Sequence, residues 1–219
     1  MLLISIDTSG RNGSVALCRG DANSFETLQL SILEGGTYSA RLMPAIAELL
    51  QQNGFARNDI DGFVVVSGPG SFTGLRVGLS TVKGLCEVLN KPLVAVSMLE
   101  ALALTHGSGA ATAILDAGRG EAYVGEYEVD AGSARMSREY IAKQSELTAT
   151  SPMLTSHKAV AELLQSEGVN ITLVEPIHAD GIGRIGLRKL LAGDLADAAS
   201  VDVNYIRRSD AELFGKPKS

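Results

Sequence analysis

One pattern occurs twice in this chain and constrains its fold more than any other: a strand, an aspartate, a turn of small residues, and a second strand. The first copy has residues 2–6 as its leading strand, then Asp7-Thr8-Ser9-Gly10-Arg11-Asn12-Gly13, then Ser14-Val15-Ala16-Leu17-Cys18. The second has residues 111–115, then Asp116-Ala117-Gly118-Arg119-Gly120, then Glu121-Ala122-Tyr123-Val124-Gly125. Glycine and asparagine supply the positive φ angles that a hairpin turn requires. Two such units predict two similar lobes, at residues 1–104 and 105–219.

Strands alternating with helices fill the space between the two copies, which argues a layered α/β architecture. Leu42, Ile46, Leu49 and Leu50 trace an amphipathic helix over 39–52, with Pro44 near its start. Phe63-Val64-Val65-Val66 and Leu93-Val94-Ala95-Val96 are continuous apolar runs, as strands covered on both faces should be. In the second half, 156–166 reads as a helix with Ser156 as its N-cap, 171–175 as a strand, and Ile185 to Leu191 as a further helix.

Composition narrows the classes. The chain has no tryptophan, so its cores must be built from Leu, Val, Ile and Ala. The apolar run at the N-terminus stops at Asp7, too short for a signal peptide or a membrane span, and reads as a buried strand. Cys18 and Cys86 sit far apart in apolar stretches, as reduced cytosolic thiols do. The net charge is −6, and acidic residues outnumber basic ones on both sides of Thr105. Gripping nucleic acid through its phosphates needs a positive patch, so any RNA must be held mostly by something else.

The helix expected over 73–89 is apolar on more than one side. Leu75, Leu79, Val82, Cys86 and Leu89 form one stripe, and Val77, Leu85 and Val88 extend around the circumference. Such a helix is either internal or buried against a second chain. Gly74, Gly78, Thr81 and Gly84 form a ridge of small side chains that lets another helix come close.

Several motifs fall short of a chemistry. Gly68-Pro69-Gly70 joins a strand to a helix but matches neither G-x-G-x-x-G nor a P-loop, and reads as a tight turn. His106, His157 and His178 lack metal-ligand spacing, and no G-x-S-x-G elbow is present, so neither a metal site nor a peptidase is supported. Asp7 and Asp116 either cap their own turns or form a carboxylate pair suited to phosphoryl transfer with a bound metal. The second reading would make the chain a small-molecule kinase or ATPase. The tail carries Arg207, Arg208, Lys216 and Lys218 among acidic residues and reads as a solvated terminus.

Read in order, the motifs resemble the TsaB family, also called YeaZ. They are Ile6-Asp7-Thr8-Ser9 with Ser14-Val15-Ala16-Leu17, and the stretch Ser67-Gly68-Pro69-Gly70-Ser71-Phe72-Thr73-Gly74-Leu75-Arg76-Val77-Gly78. Ser39-Ala40-Arg41-Leu42-Met43-Pro44, Asp116 to Tyr123 and Tyr205-Ile206-Arg207 follow the same pattern. Where members of the family carry His-Ser-Glu before the Leu-Leu-Pro segment, this chain has Tyr38-Ser39-Ala40.

The resemblance implies an actin-like, ribonuclease H-like α/β fold of two lobes, shared with the paralogue TsaD. It implies a cytoplasmic, non-catalytic subunit that pairs with TsaD, or with itself when alone. With TsaE it would support threonylcarbamoyl transfer to the adenosine beside the tRNA anticodon, touching tRNA only through the complex and no membrane. TsaD holds its metal partly through an H-x-x-x-H pair, and here Met98 and Leu102 stand at those positions, so no catalytic or metal-binding residue is carried over. Asp7, Thr8, Ser9 and Asp116 would mark a remnant nucleotide cleft, with no cofactor required and weak ATP or ADP binding the most it would retain. The nearest adenosine-loop candidate, Gly181-Ile182-Gly183-Arg184-Ile185-Gly186, has no adjacent glycines. The implied partner interface is Arg41, Leu42, Ala45, Leu49, Gly74, Val77, Gly78, Thr81, Gly84 and Leu85. On that reading, Gly78→Leu should abolish pairing and leave the monomer folded.

Overall fold

The computed structural model describes residues 1–34, 36–149, 151–204 and 206. It divides into two compact units. The first takes Met1–Ala101 and Glu175–Val203, and the second takes Leu102–Val174 and resumes at Asn204. The first boundary falls close to the expected 104/105, and the chain then returns to the first unit for a helix that the sequence assigns to the second half. Tyr205 and the basic residues of the tail lie outside the described residues.

The first unit is built on a sheet of β1 (Leu2–Asp7), β2 (Gly13–Gly20), β3 (Phe25–Leu33), β4 (Gly62–Gly68) and β5 (Leu93–Ser97), in the order β3-β2-β1-β4-β5. β1, β2 and β3 form an antiparallel meander, and β4 and β5 add parallel to β1. Parallel strands need crossover connections, and α1 (Tyr38–Gln52) and α2 (Phe72–Leu89) lie in them. The run Phe63 to Val66 is wholly buried, with α2 packed on β4 and α5 (Ala179–Ala192) approaching Val64.

Helix α5 explains the glycine-spaced segment 181–186. A side chain at Gly186 would overlap Val64, and one at Gly183 would press on Ser5 and Cys18. These glycines bring the helix close to the sheet of the first unit. The segment, the nearest adenosine-loop candidate in the sequence, is thus part of a helix of the first unit. At the start of α5 the amide of Ala179 donates to Ser14 Oγ (2.8 Å), so a strand residue caps the helix. Further along, Lys189 bridges Glu100 (3.1 Å) and Asp194 (3.2 Å).

The second unit repeats the topology. Its strands are β6 (Gly109–Gly118), β7 (Glu121–Asp130), β8 (Ser133–Lys143), β9 (Met153–Thr155) and β10 (Ile171–Leu173), in the order β10-β9-β6-β7-β8. Here too the first three strands are an antiparallel meander and the last two add parallel to the first. α4 (Lys158–Ser166) covers one face through Val160, Ala161 and Leu164, which pack with Ile114, Val124 and Ile171. Its N-cap is His157 rather than Ser156. The remaining helix, α3 (Met98–Leu104), contains the division between the units.

A candidate docking face on the first unit

The loop after β1 is closed by its own residues. Asp7 accepts hydrogen bonds on Oδ1 from the Ser9 amide (2.8 Å) and the Ser9 hydroxyl (2.6 Å). Only 5% of Asp7 is exposed, and burial pushes its carboxyl above the usual range despite both donors. The Ser71 amide donates to Ser9 O (2.6 Å), and Tyr38 of α1 donates its hydroxyl to Gly10 O (2.9 Å). Thr8 is fully buried. The loop is therefore clamped between the N-terminal ends of α1 and α2.

Asp116 belongs to the second unit, where it serves the turn after β6. Its Oδ1 accepts from the Gly118 amide (2.9 Å) and from Gln144 Nε2 (3.1 Å), and its own amide donates to His157 Nδ1 (3.0 Å). Burial of the ring holds His157 below the ordinary imidazole range, although Asp116 acts the other way. Each expected aspartate thus caps its own turn.

The expected interface residues separate into two sets. Leu42, Ala45 and Leu49 are buried in the core between α1 and its sheet. Gly74 and Gly78 also face inward: a Cβ at Gly74 would overlap Thr8 O and crowd the Tyr38 ring, and one at Gly78 would overlap Thr8 Oγ1. The glycine spacing predicts a ridge for another helix, but at Gly74 and Gly78 it admits the β1–β2 loop. Gly78→Leu would disturb this unit itself, contrary to expectation. Val77, Thr81 and Leu85 are half-buried, and Arg41 and Gly84 are open.

What remains outside is a continuous arc of α2. A depression of about 470 Å³ is lined by Ser39, Phe72, Thr73, Arg76, Val77, Ser80 and Thr81. The Arg76 guanidinium lies 3.8 Å from the Phe72 ring centroid, a cation–π arrangement. Neither α1 nor α2 has an acidic residue in its first turn. At the other end Val88 is 81% exposed. This surface carries no catalytic constellation. Its residues are mostly small, with Phe72 and Val77 among hydroxyl side chains and Arg41 and Arg76 near the helix starts, a composition suited to a close-packed helix. Phe72, Thr73 and Ser80 escaped the sequence reading, which followed the glycines. For Thr73 and Ser80 the signal is a position on the helix opposite Leu75, Leu79 and Val82, whereas Phe72 lies on the side of Leu79 and is exposed because it opens the helix.

Met98 and Leu102, which the resemblance sets against the transferase's histidine pair, are buried apolar residues. Among the described residues no group of three or more His, Cys, Asp or Glu could hold a metal ion. Nor is any helix among them long and apolar enough to cross a membrane.

Two sheets of identical strand order, each opening with a strand and an aspartate-capped turn, define an actin-like, ribonuclease H-like α/β protein of two lobes. The family model described as TsaD, tRNA N6-adenosine threonylcarbamoyltransferase, matches residues 36–201. The Bacillus subtilis protein named tRNA threonylcarbamoyladenosine biosynthesis protein TsaB is 39% identical over 134 residues, 60% of this chain and 57% of that protein. Its Escherichia coli namesake is 33% identical over 135 residues, 59% of this chain and 56% of that protein. The chain thus spans little more than half the length of these curated relatives. A crystal structure from Pseudomonas aeruginosa, of a protein described as similar to the peptidase YeaZ, superposes with a TM-score of 0.77. It is 25% identical and covers 94% of this chain and 99% of its own. The chain belongs to the TsaD family of tRNA threonylcarbamoyladenosine proteins, within its TsaB (YeaZ) branch.

Proposed function

We propose that the chain is a non-catalytic subunit of the machinery that makes threonylcarbamoyladenosine in tRNA. It docks on a TsaD-type transferase through the outer arc of α2 and the adjoining surface of α1, and holds that enzyme in its working conformation. TsaE, the ATPase of the pathway, joins the pair, and tRNA is met only through the assembly. The setting is the cytoplasm, and the chain alone pairs with itself through the same face. The role needs no cofactor, and any ATP or ADP at the Asp7 loop would be weakly held.

The non-catalytic part rests on Met98 and Leu102, which the family resemblance sets at the positions of the transferase's metal-binding histidines and which are both buried. A thioether and an alkyl group cannot substitute for two imidazoles on a hard or borderline ion. The kinase alternative gains nothing from the geometry of Asp7, whose carboxylate is enclosed and hydrogen-bonded by its own loop. The test is co-elution of the purified chain with a TsaD-type transferase on size exclusion. A stoichiometric complex is expected, and separate elution at micromolar concentrations contradicts the docking role.

A further inference from the structure

We propose that the segment Ala196–Val203 is one wall of the docking face and that Lys83 fixes it there. This rests on the docking reading above and adds an element to it. After α5 the chain reaches the free edge of β5, where the Ala196 amide donates to Leu93 O (2.8 Å) and the two residues form an antiparallel bridge. A compact turn follows. Asp197 accepts from the Ala199 amide (3.0 Å) and the Ser200 hydroxyl (2.7 Å), and the Val201 amide returns to Asp197 O (2.8 Å). Two carbonyls of this segment then converge on α2, where Lys83 Nζ donates to Ala199 O (3.3 Å) and Val201 O (3.0 Å). Val203 is buried.

Helix geometry shows what this does to α2. Gly74 marks the edge facing α1, through the Tyr38 ring. Lys83 is nine residues further on, about two and a half turns, so it lies on the opposite edge of the helix. Between them the inner arc faces the sheet. The outer arc carries Thr73, Val77, Ser80 and Gly84, and a Cβ at Gly84 would meet nothing within 4 Å. The outer arc is therefore the floor of a trough, with α1 along one side and the segment Ala196–Val203, a strap, along the other. The floor's small residues admit a close helix. The strap side adds the exposed carboxylates Asp197 and Asp202; Lys83 donates to the strap's carbonyls and offsets part of the Asp197 charge, which leaves Asp202 as the less compensated of the two. The occupant that fits is an α-helix of the transferase partner, with small or apolar residues inward and a lysine or arginine on the edge meeting the strap.

Two measurements on the full chain with a TsaD-type transferase test this. In hydrogen exchange, the amides of residues 199–203 should slow at least severalfold when the partner is added. In titration calorimetry, Lys83→Met should bind about tenfold more weakly while keeping its melting temperature. Ser80→Arg, on the floor, is the control for the docking reading itself. If Ser80→Arg loses binding while strap exchange or Lys83→Met affinity is unchanged, the strap proposal is overturned and the docking reading survives. If Ser80→Arg binds like wild type, both fall.

Discussion

The Thr8 side chain lies against the α2 backbone at Gly78, buried and with its hydroxyl lacking a hydrogen-bond partner among the described residues. A Cβ at Gly78 has no room, whereas one at Gly84, six residues along the same helix, has nothing to meet. Gly78→Ala should therefore destabilise the chain by about 1–3 kcal/mol through overpacking. Gly84→Ala should stabilise it by about 0.5–1 kcal/mol by removing the helix cost of glycine. Urea denaturation of both variants checks the pair. Thr8→Ala added to Gly78→Ala should recover part of the loss, since the two residues share one contact.

Thr73 and Ser80 lie on the open arc of α2 and make no core contact. Replacing either with arginine should leave the melting temperature within a degree or two and weaken the transferase complex by about 30-fold or more. Leu42→Ala, in the core beneath α1, should do the reverse and cost about 2–5 kcal/mol of stability. Melting curves and titration calorimetry on the same preparations separate the two classes.

Asp7 is a buried carboxylate whose pKa is raised by burial, with the Ser9 hydrogen bonds opposing the shift. A raised native value means that the folded state holds its proton more tightly than the unfolded state. Asp7 therefore costs stability as pH rises from the ordinary carboxylate range through the native pKa, and the cost is full above it. Asn at position 7 offers the same acceptor to Ser9 without the charge. Asp7→Asn should melt higher than wild type at pH 7, and the advantage should vanish as both carboxyl states become protonated in acid. Melting temperatures from pH 3 to 8 give the comparison, and a variant less stable at pH 7 would contradict it.

Cys18 and Cys86 are free and buried, and burial is the leading cause that pushes the thiols up to about 12 and about 11. A thiol reagent acts on the thiolate. Neither cysteine should react with a chromogenic disulfide at pH 8 within an hour in the native chain. Both should react within seconds in 6 M guanidinium. Rapid native labelling at Cys86 would show that the C-terminal half of α2 opens.

The strands with one unbroken apolar run were legible in the sequence, because Phe63 to Val66 are buried throughout and Leu93, Val94 and Val96 are buried with Ala95 half-buried. α1 and α2 were legible from their periodicity to within a residue. β3 and β8 were not. Leu28, Leu30 and Ile32 on β3 are half-buried or exposed, and β8 is mostly polar, so these outer strands lack a burial pattern to announce them. α5 starts earlier than its apolar periodicity predicts and belongs to the first unit, because Gly181, Gly183 and Gly186 look like a loop until the sheet beneath them is seen. The same ambiguity governed the docking face. Glycine spacing on α2 signals a close neighbour but does not say whether it is the chain's own Thr8 or a partner's helix. That a second surface of α2 stays uncovered could be read only from the packing.

In the proposed role this chain enables a reaction it does not perform. The most direct measurement is threonylcarbamoyl transfer to tRNA by a TsaD-type transferase with TsaE, ATP and threonylcarbamoyl-adenylate, with and without the chain. Modification is expected only when the chain is present, with none by the chain alone and loss of the effect with Ser80→Arg. Equal modification without the chain, or transfer by the chain in the absence of the transferase, would contradict it.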